Sequence, residues 1–164
     1  MSEQIAATGK KVSDKDQINE FVTFFIEKQI FGIPVSDIHE VFHPQAITRV
    51  PLAPPEIRGV LNLRGRIVTA IEVRVKLNLP ALEQGQQSLM AIGVEINGES
   101  YGLIIDRVGD VLQLPVSKSE VVPMNMDPVW QKFTSEIYRL EDQLLIILDI
   151  KRLLDFETKS EMAA

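Results

Sequence analysis

An internal repeat is the feature of this 164-residue sequence that most restricts its fold. The segment Phe31-Gly32-Ile33 matches Tyr101-Gly102-Leu103, which lies 70 residues later, and several neighbouring apolar and acidic residues match at the same spacing. Further along, Val60 matches Ile137 at a spacing of 77 residues, so the second copy gains about seven residues around 122–130. A repeat of this length decides the architecture before any single element does.

The two copies predict two similar small β-units, over residues 20–80 and 88–155. Each unit is too small to bury a core alone, so we expect the two to pack against each other around a joint apolar core. The apolar runs are short and rich in Val, Ile and Phe, which is typical of strands. The fold class is therefore all-β with a few short helices, near Pro55–Arg58, near Arg74–Leu79 and from Ile150 to Phe156. The predicted strands are Phe21–Glu27, Ile30–Val35, Glu40–Phe42, Ile47–Val50, Val60–Leu63, Ile67–Val73, Leu89–Ile96, Glu99–Ile105, Val108–Leu114, Glu136–Leu140 and Leu144–Leu148.

The composition is that of one soluble globular domain: 45% of the residues are hydrophobic, 24% are charged, and the net charge is −6. The absence of cysteine excludes disulfides, thiolate zinc sites and cysteine nucleophiles. We expect a flexible polar arm over 1–19, one domain over 20–156 and a frayed tail over 157–164. No apolar run approaches the ~20 residues that span a bilayer, and no signal-peptide pattern is present, which predicts a cytoplasmic protein.

Patterns that carry enzyme chemistry are weak in this sequence. His39-Glu40-Val41-Phe42-His43 formally matches the zinc-protease motif, but that motif needs a helix, and this segment is rich in β-formers and ends at Pro44. In a strand, the two imidazoles would stand ~13 Å apart, too far to share a zinc ion. No phosphate-binding glycine loop and no nucleophile with a histidine partner is found. We therefore predict no enzyme, no metal and no cofactor.

Charge is distributed unevenly along the chain. Residues 46–80 carry a net charge of +4, which leaves −10 for the rest, and we expect one locally basic face. A small barrel that binds nucleic acid through this face is the alternative function. The face contains no aromatic residue on which bases could stack, which argues against nucleic acid. Its six cations are Arg49, Arg58, Arg64, Arg66, Arg74 and Lys76.

The segment Ile57-Arg58-Gly59-Val60-Leu61-Asn62-Leu63-Arg64-Gly65-Arg66-Ile67-Val68 closely resembles the CheW family of chemotaxis coupling proteins. The resemblance continues through Val108-Gly109-Asp110-Val111 and Leu145–Asp149 and covers about 20–155. It implies two small SH3-like β-barrel subdomains. It also implies a non-enzymatic adaptor that couples methyl-accepting chemotaxis receptors to the histidine kinase CheA, without inserting into the membrane. Such an adaptor is cytoplasmic and is recruited to membrane-associated receptor arrays.

The resemblance also implies a receptor-binding groove near the seam between the two barrels. Arg64 either binds a receptor carboxylate or holds its own turn through a carbonyl or Glu72, and Glu40 is either a contact or a solvated strand residue. Gly59 avoids a side chain that would obstruct the turn or an approaching helix. Ile38 and Val108 are either core or contact residues. The matching positions are Ile38, Glu40, Gly59, Asn62, Arg64 and Val108.

Kinase docking in this family joins one barrel of the coupler to a similar barrel in the regulatory domain of CheA. The candidate kinase-binding residues in the first unit are Phe42, Ile47 and Val50. Packing in the core of the first unit is the alternative role of these three side chains.

Overall fold

Strands dominate the protein, as the short apolar runs predict. The computed structural model describes residues 17–80 and 90–155, and within these ranges the only α-helices are three short ones. This confirms the all-β class with a few short helices. The strands are β1 (Ile18–Ile26), β2 (Gln29–Pro34), β3 (Ile38–Phe42), β4 (Ile57–Leu63), β5 (Arg66–Glu72), β6 (Met90–Ile96), β7 (Glu99–Ile105), β8 (Arg107–Pro115), β9 (Thr134–Arg139) and β10 (Leu144–Leu148). The helices are α1 (Val73–Lys76), α2 (Pro128–Phe133) and α3 (Ile150–Leu153).

The described residues form two five-stranded sheets, and each sheet takes strands from both copies of the repeat. The strand order is β9-β10-β2-β1-β8 in sheet A and β3-β6-β7-β5-β4 in sheet B. The β10–β2 and β5–β7 pairs are parallel, and the other neighbours are antiparallel. The two sequence units therefore do not form one sheet each. They exchange strands instead, and the predicted contact residues lie partly on edge strands β3 and β8 and partly on β4 and the segments next to it.

The repeat itself is reproduced element by element. Strand β3 begins at Ile38 and β8 contains its partner Val108, 70 residues later. Helix α1 spans Val73–Lys76 and α3 spans Ile150–Leu153, so both ends are related by the spacing of 77. We call residues that these two spacings relate repeat-equivalent.

The core has three parts, because most strands are buried on both faces. Along β10, Leu145 and Ile147 belong to a cluster of sheet A, whereas Ile146 and Leu148 belong to a second cluster that the two sheets share. The interior of sheet B holds a third, smaller cluster that includes Leu61. The shared cluster is the joint apolar core that the two units were expected to form. Burial on both faces explains why these strands are continuous apolar runs rather than alternating ones.

Neither sheet closes into a barrel through a continuous ladder, which departs from the expectation of two barrels. Each is joined across its open side by one isolated antiparallel bridge, between Thr48 and Val60 in sheet B and between Glu120 and Ile137 in sheet A. The predicted strand Ile47–Val50 is reduced to the first of these bridges, because Pro51 and the turn after it end the pairing.

Several local predictions can be compared with the backbone. The Asn97-Gly98 turn is confirmed, with φ of 53° and 82°. The predicted helix at Pro55–Arg58 is wrong, since a turn occupies its start and β4 begins at Ile57. Strand β1 begins at Ile18, inside the segment expected to be an arm. Residues 157–164 lie outside the described residues.

Candidate protein interaction surfaces

Edge strands β3 and β8 carry repeat-equivalent apolar residues at their starts. Ile38 on β3 and Val108 on β8 are both half-buried and pack against the core shared by the two sheets. Strand β3 belongs to sheet B and β8 to sheet A, so one residue of the pair lies on each side of the seam between the two sheets. These two side chains therefore combine the core and surface roles that the sequence left as alternatives.

Each edge strand also exposes a valine that the sequence reasoning did not select. Val41 on β3 is 39% exposed and its repeat-equivalent Val111 on β8 is 56% exposed. Edge strands present unpaired backbone groups, and exposed apolar side chains on them favour association with a partner. The repeat was the signal that could have found the pair, since it matches Val41 to Val111 directly. Ile38, Val41, Val108 and Val111, together with Glu40 and Arg64, are called the edge surface below.

A charged cluster lies on the sheet B side of the edge surface. The guanidinium of Arg64 pairs with Glu40 Oε1, and Arg66 Nη2 lies 3.5 Å from Glu40 Oε2. The side chain of Arg64 remains 69% exposed, whereas that of Glu40 is 22% exposed. Glu72, the intramolecular carboxylate considered for Arg64, binds Arg58 instead at 2.6 Å. Arg64 thus keeps most of its donors available while Glu40 orients it.

Asn62 and Gly59 shape the hairpin that presents Arg64. Arg64 has a φ of 53°, and the Gly65 N–H donates to Asn62 Oδ1 at 2.8 Å, which stabilises this turn. Gly59 lies beneath the bridge that joins the two sides of sheet B. A Cβ on Gly59 would lie 2.3 Å from the carbonyl oxygen of Thr48. The obstruction expected at Gly59 is therefore by the protein's own backbone.

The three candidate kinase contacts occupy different environments. Phe42 and Ile47 pack against the interior cluster of sheet B. A Cβ on Gly102 would lie 3.1 Å from Phe42 Cζ, so this ring covers the glycine position in the sheet. Val50 is 42% exposed, and Leu52 close by is fully exposed. Only Val50 among the three offers a large apolar surface to a partner.

The basic stretch over 46–80 does not form a uniformly positive face. Four of its six cations face carboxylates among the described residues, and the Lys76 ammonium lies over the Phe133 ring. Nothing in the described residues supports the nucleic-acid alternative, because ion-paired arginines are poorly suited to neutralise phosphates. The paired cations are Arg58, Arg64, Arg66 and Arg74.

Arg74 is the centre of a polar cluster that the sequence did not predict: the guanidinium is buried, Asp106 is half-buried and Glu27 is exposed. Its guanidinium binds Asp106 through two nitrogens, Nε to Oδ1 at 3.1 Å and Nη2 to Oδ2 at 2.7 Å, and binds Glu27 Oε2 at 2.9 Å. Burial alone would lower the pKa of Arg74, but the hydrogen bonds from the guanidinium to Asp106 and Glu27 outweigh it and raise the pKa. The guanidinium is therefore charged wherever the protein is folded.

The His39–His43 segment lies on and after strand β3, not on a helix. The imidazole Nε2 of His39 lies 3.2 Å from Glu95 Oε1. Across residues 17–80 and 90–155, no group of three or more His, Asp or Glu side chains is placed to hold a metal ion. Within the same residues, no helix is long and apolar enough to cross a membrane.

Comparison with known proteins shows which family the chain resembles. The family model for the CheW-like domain matches residues 20–158. The chain is 30% identical over 149 residues to the chemotaxis protein CheW of Helicobacter pylori, covering 91% of this chain and 89% of that protein. It is also 30% identical to the chemotaxis protein CheW of Bacillus subtilis, over 85% of this chain and 88% of the relative. The crystal structure of the scaffolding protein TtCheW from Thermoanaerobacter tengcongensis superposes with a TM-score of 0.76 at 27% identity, covering 85% of this chain and 94% of that one.

Proposed function

The chain belongs to the CheW family, and from this membership we propose that it is a non-enzymatic adaptor in bacterial chemosensory signalling. It couples methyl-accepting chemotaxis receptors to the histidine kinase CheA. It acts in the cytoplasm, at receptor arrays associated with the membrane. The observation that carries the proposal is the pair of repeat-equivalent edge strands β3 and β8, which expose apolar side chains, with the charged cluster of Glu40, Arg64 and Arg66 beside β3.

The receptor binds the edge surface. Ile38 and Val108 supply apolar contact, and Glu40 holds the guanidinium of Arg64 for a forked hydrogen bond to a receptor carboxylate. Asn62 and Gly59 act indirectly. They support the turn and the backbone bridge that present Arg64.

The kinase binds the end of sheet B through the exposed Val50. Phe42 and Ile47 support this surface from the interior of the sheet. The regulatory domain of CheA is the proposed partner. We expect receptor and kinase to bind at the same time, because Val50 is exposed on the loop after β3 and is not part of the edge surface.

The adaptor acts by mass action and geometry, and the kinase performs the chemistry. Two separate contacts raise the local concentration of receptor and kinase, so modest individual affinities suffice once many copies are linked. A signal passes only if the two receptor states differ in how they bind the adaptor, because a ligand with equal affinity for both states shifts neither.

Arg64→Ala is expected to weaken receptor binding about tenfold, since it removes one charge-assisted hydrogen bond. Folding should be intact, because the Arg64 side chain is 69% exposed. Calorimetry with a purified receptor cytoplasmic fragment measures the affinity, and an assay with CheA measures kinase control. The matched control is Arg58→Ala, on the same strand pair but paired with Glu72. Unchanged receptor affinity in Arg64→Ala would refute the role of Arg64.

Val41→Asp and Val111→Asp are each expected to weaken receptor binding about tenfold, because a carboxylate replaces apolar contact on an edge strand. Val50→Asp should leave receptor affinity unchanged and weaken binding to the CheA regulatory domain instead. Titration of each variant with both partners separates the two surfaces. Equal losses toward both partners in all three variants would contradict the division of the surfaces.

A further inference from the structure

The polar cluster around the buried Arg74 connects parts of the chain that are far apart in sequence. Besides Asp106 and Glu27, the guanidinium donates to the Pro80 carbonyl oxygen at 2.7 Å. The Asp106 carboxylate in turn accepts the Glu27 N–H at 2.7 Å, in the turn between β1 and β2. Arg74, Asp106 and Glu27 are called the clamp below. Every member of the clamp touches the other two.

The clamp crosses from one sheet to the other. Arg74 lies in α1, directly after β5 of sheet B, whereas Glu27 lies in a turn of sheet A. Asp106 is the single residue between β7 of sheet B and β8 of sheet A. The forked bond between Arg74 and Asp106 therefore fixes the start of edge strand β8 to sheet B.

The repeat shows that this β-architecture does not need a clamp. The repeat-equivalents of Arg74, Glu27 and Asp106 are Lys151, Asn97 and Ser36, and all three are exposed. Lys151 and Asn97 instead line an open cleft of about 620 Å³. The position related to the clamp by the repeat thus has an open cleft instead. The shared elements form in both places, so the clamp can serve a task that the second position lacks.

The position of Asp106 suggests that task. Asp106 lies two residues before Val108 and five before Val111, both on the edge surface. We propose that the clamp positions edge strand β8 relative to edge strand β3 and so sets the geometry of the edge surface for its partner. This inference rests on the proposed function, and it makes Arg74 a positioning residue that does not touch the receptor.

Arg74→Lys tests the proposal, because it keeps the charge and removes the fork that binds Asp106 bidentately. The expected result is a loss of receptor affinity of about fivefold, with affinity for the CheA regulatory domain unchanged. Hydrogen exchange of the amides in 106–111 should become faster in the full-length variant, while that of the β9–β10 pair should not. The control is Lys151→Met, at the repeat-equivalent exposed position, which should change neither affinity nor exchange. All measurements are made at a temperature where the melting curves show every variant to be folded.

The possible outcomes separate the two proposals. If the wild-type protein does not bind the receptor fragment, the proposed function fails, and the exchange data alone decide whether the clamp fixes β8. Unchanged hydrogen exchange over 106–111 in Arg74→Lys would refute the claim that the clamp fixes β8, regardless of the measured receptor affinity. Faster exchange with unchanged receptor affinity overturns its positioning role. If Arg74→Lys does not fold, Asp106→Asn takes its place with the same expectations.

Discussion

Fragments 1–84 and 85–164, produced separately, are expected to be unfolded alone and to regain the native fold when mixed. Among the residues that the structure describes, the native strand pairs within each fragment are two hairpins: β1–β2 and β4–β5 in the first, and β6–β7 and β9–β10 in the second. The other four pairs, β10–β2, β1–β8, β3–β6 and β5–β7, all cross the cut. Isolated hairpins are marginal in water, so neither fragment has a stable sheet.

Circular dichroism and two-dimensional NMR spectra of each fragment and of the equimolar mixture measure this outcome. The single fragments should give poorly dispersed amide signals, and the mixture should give the dispersed spectrum of the intact chain. Leu103→Asp in the second fragment is the control, because Leu103 is fully buried in the shared core and a carboxylate there should prevent recovery. A dispersed spectrum from fragment 1–84 alone would contradict the exchanged topology.

The exchange of strands marks the limit of what the repeat could predict. Similar sequences predict similar elements, and the ends of α1 and α3 are related by the spacing of 77 as expected. The similarity of the two copies does not predict whether a strand pairs with a strand of its own copy or with one of the other copy. Strand β1 could pair with a strand of its own copy or of the other, and both leave the local apolar pattern unchanged. The pairing is decided by long-range packing in the shared core, which no local pattern records.

Helix α2 was missed although its start signal is present. Asp127 accepts the Val129 N–H at 2.8 Å, and Pro128 occupies the first turn, which is a common combination at helix starts. The segment 122–130 is also rich in Pro and Met, which is typical of a loop and hides the helix that begins at Pro128. Trp130 anchors the helix through a 2.8 Å bond from its Nε1 to the Leu77 carbonyl oxygen. That tertiary contact lies beyond the reach of local sequence patterns.

The residues of the proposed site come from the family resemblance, whereas their contacts with one another could not be predicted from the sequence. The family resemblance supplied Glu40 and Arg64, and the structure adds that they pair with each other. The sequence offered Glu72 and not Glu40 as the intramolecular carboxylate for Arg64, because Glu40 and Arg64 are 24 positions apart and meet only through the order of strands in sheet B. The clamp at Arg74 was missed for the same reason. Its three members come from both copies of the repeat.

Gly59→Ala is expected to lower the free energy of unfolding by about 3 kcal/mol, because two costs add at this position. The φ of 152° lies in a region that only glycine adopts easily, and the new Cβ would lie 2.3 Å from Thr48 O and 2.8 Å from Ile47 Cγ2. Thr48 exchanges both backbone hydrogen bonds with Val60, at 2.7 and 2.8 Å, so any shift that relieves the contact opens the bridge across sheet B.

Urea unfolding of Gly59→Ala against Gly98→Ala separates the backbone contact from the conformational cost. Gly98 also has a positive φ, 82°, but a Cβ there meets nothing within 4 Å, so its substitution should cost only about 1 kcal/mol. Equal losses in the two variants would show that the contact with Thr48 is relieved without cost. A larger side chain, as in Gly59→Lys, would meet the same backbone. If Gly59→Ala is the less stable variant, a loss of receptor–kinase coupling in Gly59→Lys is explained first by damage to the bridge of sheet B. The receptor contact must then be located with Arg64→Ala, because the exposed Arg64 side chain can be removed without moving the backbone.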